Sequence, residues 1–233
     1  MIEAEWWEYD DVEELAEAVA GDVGFIVESA VDARNASLLA LPGGKTPLPV
    51  FERLARAKLP WKKVTLIPTD ERLVPVQDEL SNARLLAQSF MKAGARVVPI
   101  GGENDDIEAA GNIADARLQD LPWPPDLVWL GMGADGHTAS IFAGPDLQNA
   151  LDAPKARRAV GVRPDPLPAE APVARVTLTR AALLSSRTLI ITITGAEKRK
   201  ILEQAIADGQ SSRLPIGRVL AEAEQPIDIH WAP

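Results

Sequence analysis

At 233 residues the chain is long enough to bury a sizeable core in one α/β domain and short for two. It sets 34 Asp and Glu against 24 Lys and Arg, and a net charge of −10 argues against general binding of nucleic acid or anionic membranes. With no cysteine it has no disulfides, thiolate metal ligands or cysteine nucleophile. The opening MIEAEWWEYDD is acidic and lacks the basic-then-apolar order of a signal peptide. No apolar run approaches the length of a bilayer crossing, so a cytoplasmic location is expected.

Trp6 and Trp7 are expected to pack an N-terminal arm onto the domain or onto a neighbour. Residues 11–34 read as a helix, with Val12, Leu15, Ala16 and Val19 at helical spacing and Val23, Ile26, Val27 and Ala30 continuing past Gly21. Residues 37–41 are a short apolar run, a buried strand, followed by PGGKTP and an amphipathic stretch over 48–57. Residues 64–67 form a strand that leads into TDERLVP, and 80–93 are helical. Residues 96–100 read as extended, 105–121 as helix and 126–130 as a strand entering GMGADGHTASIF. Residues 158–162 and 173–178 read as extended, and the β-branched run 188–194 as a strand. Helices over 195–207 and 216–223 and a tail strand over 227–231 complete the chain. The Pro/Ala-rich piece at 163–174 is a long loop within the domain, not a linker.

Strands alternating with helices predict an α/β fold: a single Rossmann-like domain over residues 1–233, with a mostly parallel central sheet and helices on both faces. In such sheets ligands gather at the carboxyl ends of the strands. Four of those ends carry unusual residues.

The first is Pro42-Gly43-Gly44-Lys45-Thr46-Pro47. Its glycines let backbone approach a ligand, Thr46 suits an N-cap and Pro47 the first helical position, so the piece is either a tight turn or a phosphate cradle at a helix N-terminus. The second is Asp70-Glu71-Arg72, read as a turn whose arginine can fork onto a phosphate or carboxylate, with Ser81-Asn82 opening the next helix. The third puts Lys198 in the first turn of the helix after Gly195, where a cation opposes the macrodipole and so hints at an anion to bind.

The fourth end holds Gly131, Gly133, Gly136, Asp135 and His137. A carboxylate two residues from an imidazole can fix its tautomer and raise its basicity, and such an imidazole can act first as base and then as acid. Alternatively, the ring caps a helix over 138–142. The other histidine, His230, has no partner at zinc-site spacing, so no metal site is expected. There is no G-x-S-x-G elbow and no Walker A loop, and the G-x-G-x-x-G spacing at Gly131 starts too late in the chain to mark a dinucleotide site.

In this order the four pieces resemble the 6-phosphogluconolactonase family, relatives of the glucosamine-6-phosphate deaminase/isomerases. PGGKTP is similar to the family's sugar-phosphate loop, with Lys45 where a serine is usual. TDERLVP with Ser81-Asn82 resembles its DER-x-VP…SN segment, though Pro68 and Thr69 stand where an aromatic or small residue is commoner. LGMGADGHTASIF resembles its most specific signature, and ARVTLTRAALLSSRTLIITITGAEKRKIL its C-terminal strand–strand–helix run. The deaminases resemble MDEY and GHIAFNEP at the second and fourth pieces, so the likeness favours the lactonases.

The resemblance implies hydrolysis of 6-phospho-D-glucono-1,5-lactone to 6-phospho-D-gluconate without metal or organic cofactor. It makes His137 the general base and acid, Asp135 its orienting partner, and Arg72 or backbone N–H groups of the glycine loop the oxyanion donors. Gly43, Gly44, Lys45, Thr46, Asp70, Arg72, Gly136, Arg175 and Lys198 are then the residues expected to hold the phosphorylated lactone. The expected partner is this small molecule alone, for a monomer or small homo-oligomer. Two other readings compete: an amino-sugar-phosphate deaminase/isomerase, and a sugar-phosphate sensor without catalysis. The sensor reading lacks a basic helix-turn-helix extension, and the Asp135/His137 pair speaks against it.

Overall fold

A computed structural model describes residues 2–233. The elements in chain order are β1 (Ala4–Glu8), α1 (Val12–Arg34), β2 (Ser37–Leu41), α2 (Leu48–Arg56), β3 (Val64–Pro68), β4 (Asp70–Arg72), α3 (Asn82–Phe90), β5 (Arg96–Val97) and α4 (Ile107–Gln119). There follow β6 (Leu127–Leu130), α5 (Leu147–Leu151), β7 (Ala159–Val162), β8 (Arg175–Leu178), α6 (Arg180–Leu184), β9 (Thr188–Thr194), α7 (Ala196–Asp208), α8 (Pro215–Leu220) and β10 (Ile227–Ala232). A seven-stranded sheet runs β1-β10-β9-β6-β2-β3-β5, every neighbouring pair parallel. A second sheet of three short strands, β4-β8-β7, is antiparallel.

The apolar runs make sense on this sheet because both of its faces are covered. Successive side chains of a strand point to opposite faces. In β2, Leu38 and Ala40 join one core while Leu39 and Leu41 join the other. In β6, Val128 and Leu130 divide from Leu127 and Trp129 in the same way. Helices α1, α2 and α3 cover one face, and α4, α7 and α8 cover the other. Trp129, fully buried, packs edge-on against Phe51 and donates its indole N–H to Thr192 Oγ1 at 3.0 Å.

Helix α1 runs unbroken through Gly21. Asp11 caps it by accepting from Glu14 N at 2.8 Å, and the Glu14 carboxylate reaches back to the N–H of Asp10 at 2.8 Å. No described helix is long and apolar enough to cross a membrane.

Five short elements depart from the sequence reading. The arm holding Trp6 and Trp7 is itself strand β1, paired in parallel with β10. Asp70–Arg72 is a strand, not a turn, because β8 supplies its partner. The extended stretch after α3 shrinks to Arg96–Val97, and α5 and α6 are short helices that were not expected.

All the strands of the large sheet point the same way, so the four loops singled out above emerge at one edge. The chain moves outward from β2 through β3 to β5, then returns to lay β6 on the other side of β2. Such a reversal opens a crevice at the strand ends, and two of the loops follow β2 and β6.

Candidate active site

The loop after β2 turns on Gly44, whose φ of +86° lies in the left-handed region. Gly43 is required for space, since a Cβ there would lie 2.0 Å from Oδ1 of Asn82. The cap differs from expectation. Helix α2 begins at Leu48, Pro47 takes the N-cap place in a helical conformation, and Thr46 makes no side-chain cap. Lys45 C=O accepts from Leu48 N at 3.2 Å, so a turn occupies Thr46 and Pro47 before the helix starts.

Strand β4 sends Asp70 and Arg72 one way and Glu71 the other. Glu71 is buried against the start of α3, where it accepts from the backbone N–H groups of Arg72, Asn82 and Ala83 and from Ser81 Oγ at 2.7–3.0 Å. Burial pushes its carboxyl above the usual range, and these donors pull the other way. Asp70 accepts from Ser140 Oγ at 2.5 Å. Nη1 of Arg72 donates to Leu80 C=O and to Oδ1 of Asn82, both at 2.8 Å.

The loop after β6 folds back on itself. Gly133 N donates to His137 C=O at 2.9 Å, and Gly136 N donates to Gly133 C=O at 3.0 Å. Nδ1 of His137 lies 2.5 Å from Oδ1 of Asp135. With an ionised carboxylate as acceptor Nδ1 carries the proton, which leaves Nε2 as the free base. The bond to His137 holds the Asp135 carboxyl below its usual value despite partial burial. On its face the His137 ring stacks on Phe142, centroids 4.2 Å apart. Residues 138–142 form a tight turn bridged by Thr138 and Ile141, not a helix, so the ring caps nothing there.

Lys198, in the first turn of α7, donates to Met132 C=O at 2.7 Å, and burial lowers the pKa of its ammonium. Arg175 is only 3% exposed and so is no surface arginine. Its guanidinium donates to Ala171 C=O at 3.1 Å and lies 5.1 Å above the Phe142 ring.

One cleft gathers Gly43, Gly44, Lys45, Thr46, Asp70, Arg72, His137, Arg175 and Lys198 in its lining. Asp135 sits behind His137 and lines an adjoining groove walled by residues 164–170 of the Pro-rich loop. Gly136 does not line this cleft. Its φ is +77°, Leu214 fills the space a Cβ would need, and both its backbone groups are engaged, the C=O accepting from Ile216 N at 2.9 Å. The N–H groups of Gly133 and Gly136 are therefore used within the loop and are not oxyanion donors. The sequence reading also passed over Asn82 and Thr192, which line the cleft. Ser81-Asn82 registered as a helix start and as the end of the family-like DER-x-VP…SN segment, and nothing local marks the amide as part of a cleft.

Lys45, Arg72, Arg175 and Lys198 face one carboxylate of the lining, Asp70, in a protein of net charge −10. The basic groups are concentrated where an anionic ligand would enter. Among the described residues no group of three or more His, Asp or Glu is placed to hold a metal ion.

The family model for glucosamine-6-phosphate isomerases/6-phosphogluconolactonase matches residues 10–231. A 6-phosphogluconolactonase of Rhizobium meliloti is 40% identical over 97% of this chain and 97% of its own. One from Pseudomonas putida is 37% identical over 97% of this chain and 92% of its own. The crystal structure of a 6-phosphogluconolactonase from Shewanella baltica matches with a TM-score of 0.90 at 32% identity, covering 100% of both chains. A monomeric glucosamine-6-phosphate deaminase shares the fold, with a TM-score of 0.79 at 18% identity over 98% of this chain and 97% of its own. The chain belongs to the glucosamine-6-phosphate isomerase/6-phosphogluconolactonase family.

Proposed function

We propose that the cleft hydrolyses 6-phospho-D-glucono-1,5-lactone to 6-phospho-D-gluconate, with His137 moving the proton. The observation that carries the reading is His137, its Nδ1 fixed by Asp135, lying in the same cleft as Lys45, Arg72, Arg175 and Lys198. The relatives named 6-phosphogluconolactonase, at 40% and 37% identity over nearly the whole chain, support the substrate. The deaminase likeness stands at 18% and supports the fold alone.

In this mechanism the phosphate lies against Gly43, Gly44, Lys45, Thr46, Arg72, Arg175 and Lys198. It is remote from the reacting carbon, so its binding free energy serves to hold the lactone in place. Nε2 of His137 takes a proton from water as the water oxygen bonds to C1. The carbonyl oxygen becomes an oxyanion. Because the N–H groups of Gly133 and Gly136 are engaged within their loop, the donor to it comes from elsewhere in the cleft lining, away from the cations that hold the phosphate. Such a donor typically lowers the barrier by ~3–4 kcal/mol. The imidazolium then protonates the ring oxygen as its bond to C1 breaks, and the new carboxylic acid ionises. Asp135 stabilises the imidazolium between the two transfers.

Residues 1–233 work as one sugar-phosphate domain in this reading, because the cleft draws on strand ends from β2 to β9. The setting is cytoplasmic, where a membrane-impermeant sugar phosphate is retained. The test generates the lactone in situ from glucose 6-phosphate and follows its loss by NMR without protein, with wild type and with folded His137→Ala. Acceleration over the spontaneous background that collapses in the variant is expected. Folded wild type that does not accelerate the loss sinks the reading, and ammonia release from glucosamine 6-phosphate then tests the deaminase.

A further inference from the structure

We infer that Asn82 is a positioning residue for substrate binding: its amide locks the Arg72 guanidinium to the glycine loop after β2, so that two parts of the anion site are held in one register. The inference rests on the reading of the cleft as a site for a phosphorylated lactone.

Asn82 is the first residue of α3 and its side chain is buried at the base of the cleft. Oδ1 accepts from Arg72 Nη1 at 2.8 Å, while Nδ2 donates to the Asp70 carbonyl at 2.7 Å. The third contact is steric. Oδ1 fills the space a Cβ on Gly43 would need, 2.0 Å from the ideal position, so the loop backbone lies directly against the amide. One planar group thus touches the β2 loop, strand β4 and the arginine at once.

The chemistry requires an amide. The guanidinium has only donors to offer and the carbonyl only an acceptor. A side chain meeting both must present an acceptor and a donor about one bond angle apart. A carboxylate supplies no donor, and an aliphatic side chain of the same shape supplies neither. An acceptor at Oδ1 also fixes one edge of the Arg72 fork and leaves the rest of it for the ligand.

The placement is stiff because Glu71 enforces it. Its carboxylate accepts from Asn82 N and Ala83 N at 2.7 Å each and from Ser81 Oγ at 3.0 Å, which ties the start of α3 to the strand that carries Arg72. Charge-assisted bonds of this kind are about twice as strong as neutral ones. Asn82 therefore sits at a fixed offset from Arg72 whether or not a ligand is present. Its effect on binding must pass through Arg72 and the loop, since no atom of Asn82 needs to touch the reacting carbon.

The test is a double-mutant cycle on the full chain with Asn82→Ala, Arg72→Ala and the pair, read two ways: steady-state turnover of the lactone and calorimetric binding of 6-phosphogluconate. Asn82→Ala is expected to raise KM and weaken 6-phosphogluconate binding about tenfold, the size of one lost bond to a charged group, while kcat stays within about threefold. Because Asn82 acts largely through Arg72, the loss in the double variant should fall well short of the sum of the two single losses. Asn82→Asp keeps the shape and a favourable charge at a helix start, so it carries the same comparison if Asn82→Ala does not fold. It retains the acceptor, loses the donor and neutralises Arg72, and should also weaken binding about tenfold. Folded variants that bind as wild type, losses that add in full to that of Arg72→Ala, or a fall in kcat at unchanged KM would each overturn the inference. Inactive wild type that still binds 6-phosphogluconate marks failure of the lactonase reading alone, and the binding cycle then decides the role of Asn82. Wild type that neither binds nor turns over overturns both.

Discussion

Arg72 and Arg175 are register partners across the antiparallel strands β4 and β8, and both guanidinium groups line the same cleft. Like charges directly opposite one another destabilise a strand pair. Burial lowers the pKa of Arg175, the neighbouring Arg72 charge adds to this, and Asp70 opposes it. The Nε of each arginine is buried without a hydrogen-bond partner among the described residues. A dianion between them would relieve the repulsion and supply the missing acceptors.

Arg175→Met should therefore separate stability from binding. Replacing a poorly compensated buried charge by an apolar chain of similar length is often neutral or stabilising, by up to ~4 kcal/mol. The ligand-free variant is expected to melt at or above the wild-type Tm. Its affinity for 6-phosphogluconate should fall roughly 100-fold, because truncating one side of a buried charged contact costs ~2–5 kcal/mol. Thermal melts with and without the ligand check both halves. A variant that melts lower yet keeps the full ligand-induced shift would show that Arg175 is structural.

Gly133 and His137 supply a second test, because a Cβ at Gly133 would stand 2.2 Å from ring atoms Cε1 and Nδ1 of His137. Gly133→Ala must displace the imidazole and with it the contact to Asp135. Positioned acid–base catalysis contributes ~10²–10⁴-fold, so kcat should fall by about that factor in His137→Ala and by a large part of it in Gly133→Ala. KM should change little in either, since the phosphate contacts are untouched. Kinetics on Gly133→Ala, with circular dichroism as the folding control, decide the point: wild-type kcat would mean that His137 need not occupy this position.

The parallel sheet was legible because β2, β3, β6 and β9 are apolar runs that need two covered faces, and that alone sends their loops to one edge. His137, Arg72, Lys198 and the GGK loop meet as a consequence of strand direction. What escaped depended on distant partners. β1 exists because Ala4–Glu8 aligns with residues 227–231 at the other end of the chain, and Trp6 is held from outside by Arg199, 5.3 Å above its ring. β4 has three residues, too few to show an alternation, and only β8 makes it a strand. Gly136 looked like a ligand contact because it adjoins His137, but the side chain it avoids, Leu214, lies far along the chain. Asn82 was hidden for a similar reason, since an amide's donor and acceptor acquire meaning only when two other segments arrive.

Lys45 stands exposed at the cleft rim. An exposed lysine near a phosphate contributes up to about 1 kcal/mol, and salt screens it. Lys45→Ser is expected to raise KM up to about fivefold at low ionic strength, with kcat unchanged and the difference fading by roughly 1 M salt. KM measured for both proteins across a salt series checks this. Identical values at low salt would show that the ammonium points away from the ligand.

His230 predicts how stability depends on pH. Its ring lies between Trp7 and Tyr9, with centroids 6.4 and 5.9 Å away, and Nδ1 is 2.9 Å from the Tyr9 hydroxyl. Nε2 is buried without a hydrogen-bond partner among the described residues, 3.9 Å from Asp22 Oδ2. Burial pushes the imidazole down to about 4, the charge of Asp228 acting in the opposite direction. An unfolded chain binds this proton near pH ~6.5. Between the two values the unfolded state holds one proton more than the native state, so stability rises with pH across that window. The contribution is complete above about pH 6.5 and is lost as the pH falls toward 4, by ~3 kcal/mol in all. Carboxylates also take up protons on acidification, so the informative quantity is the difference between wild type and His230→Gln. Urea unfolding of both from pH 4 to 7 should show wild type losing stability more steeply on acidification. Parallel curves would mean that folding leaves the affinity of His230 for its proton unchanged.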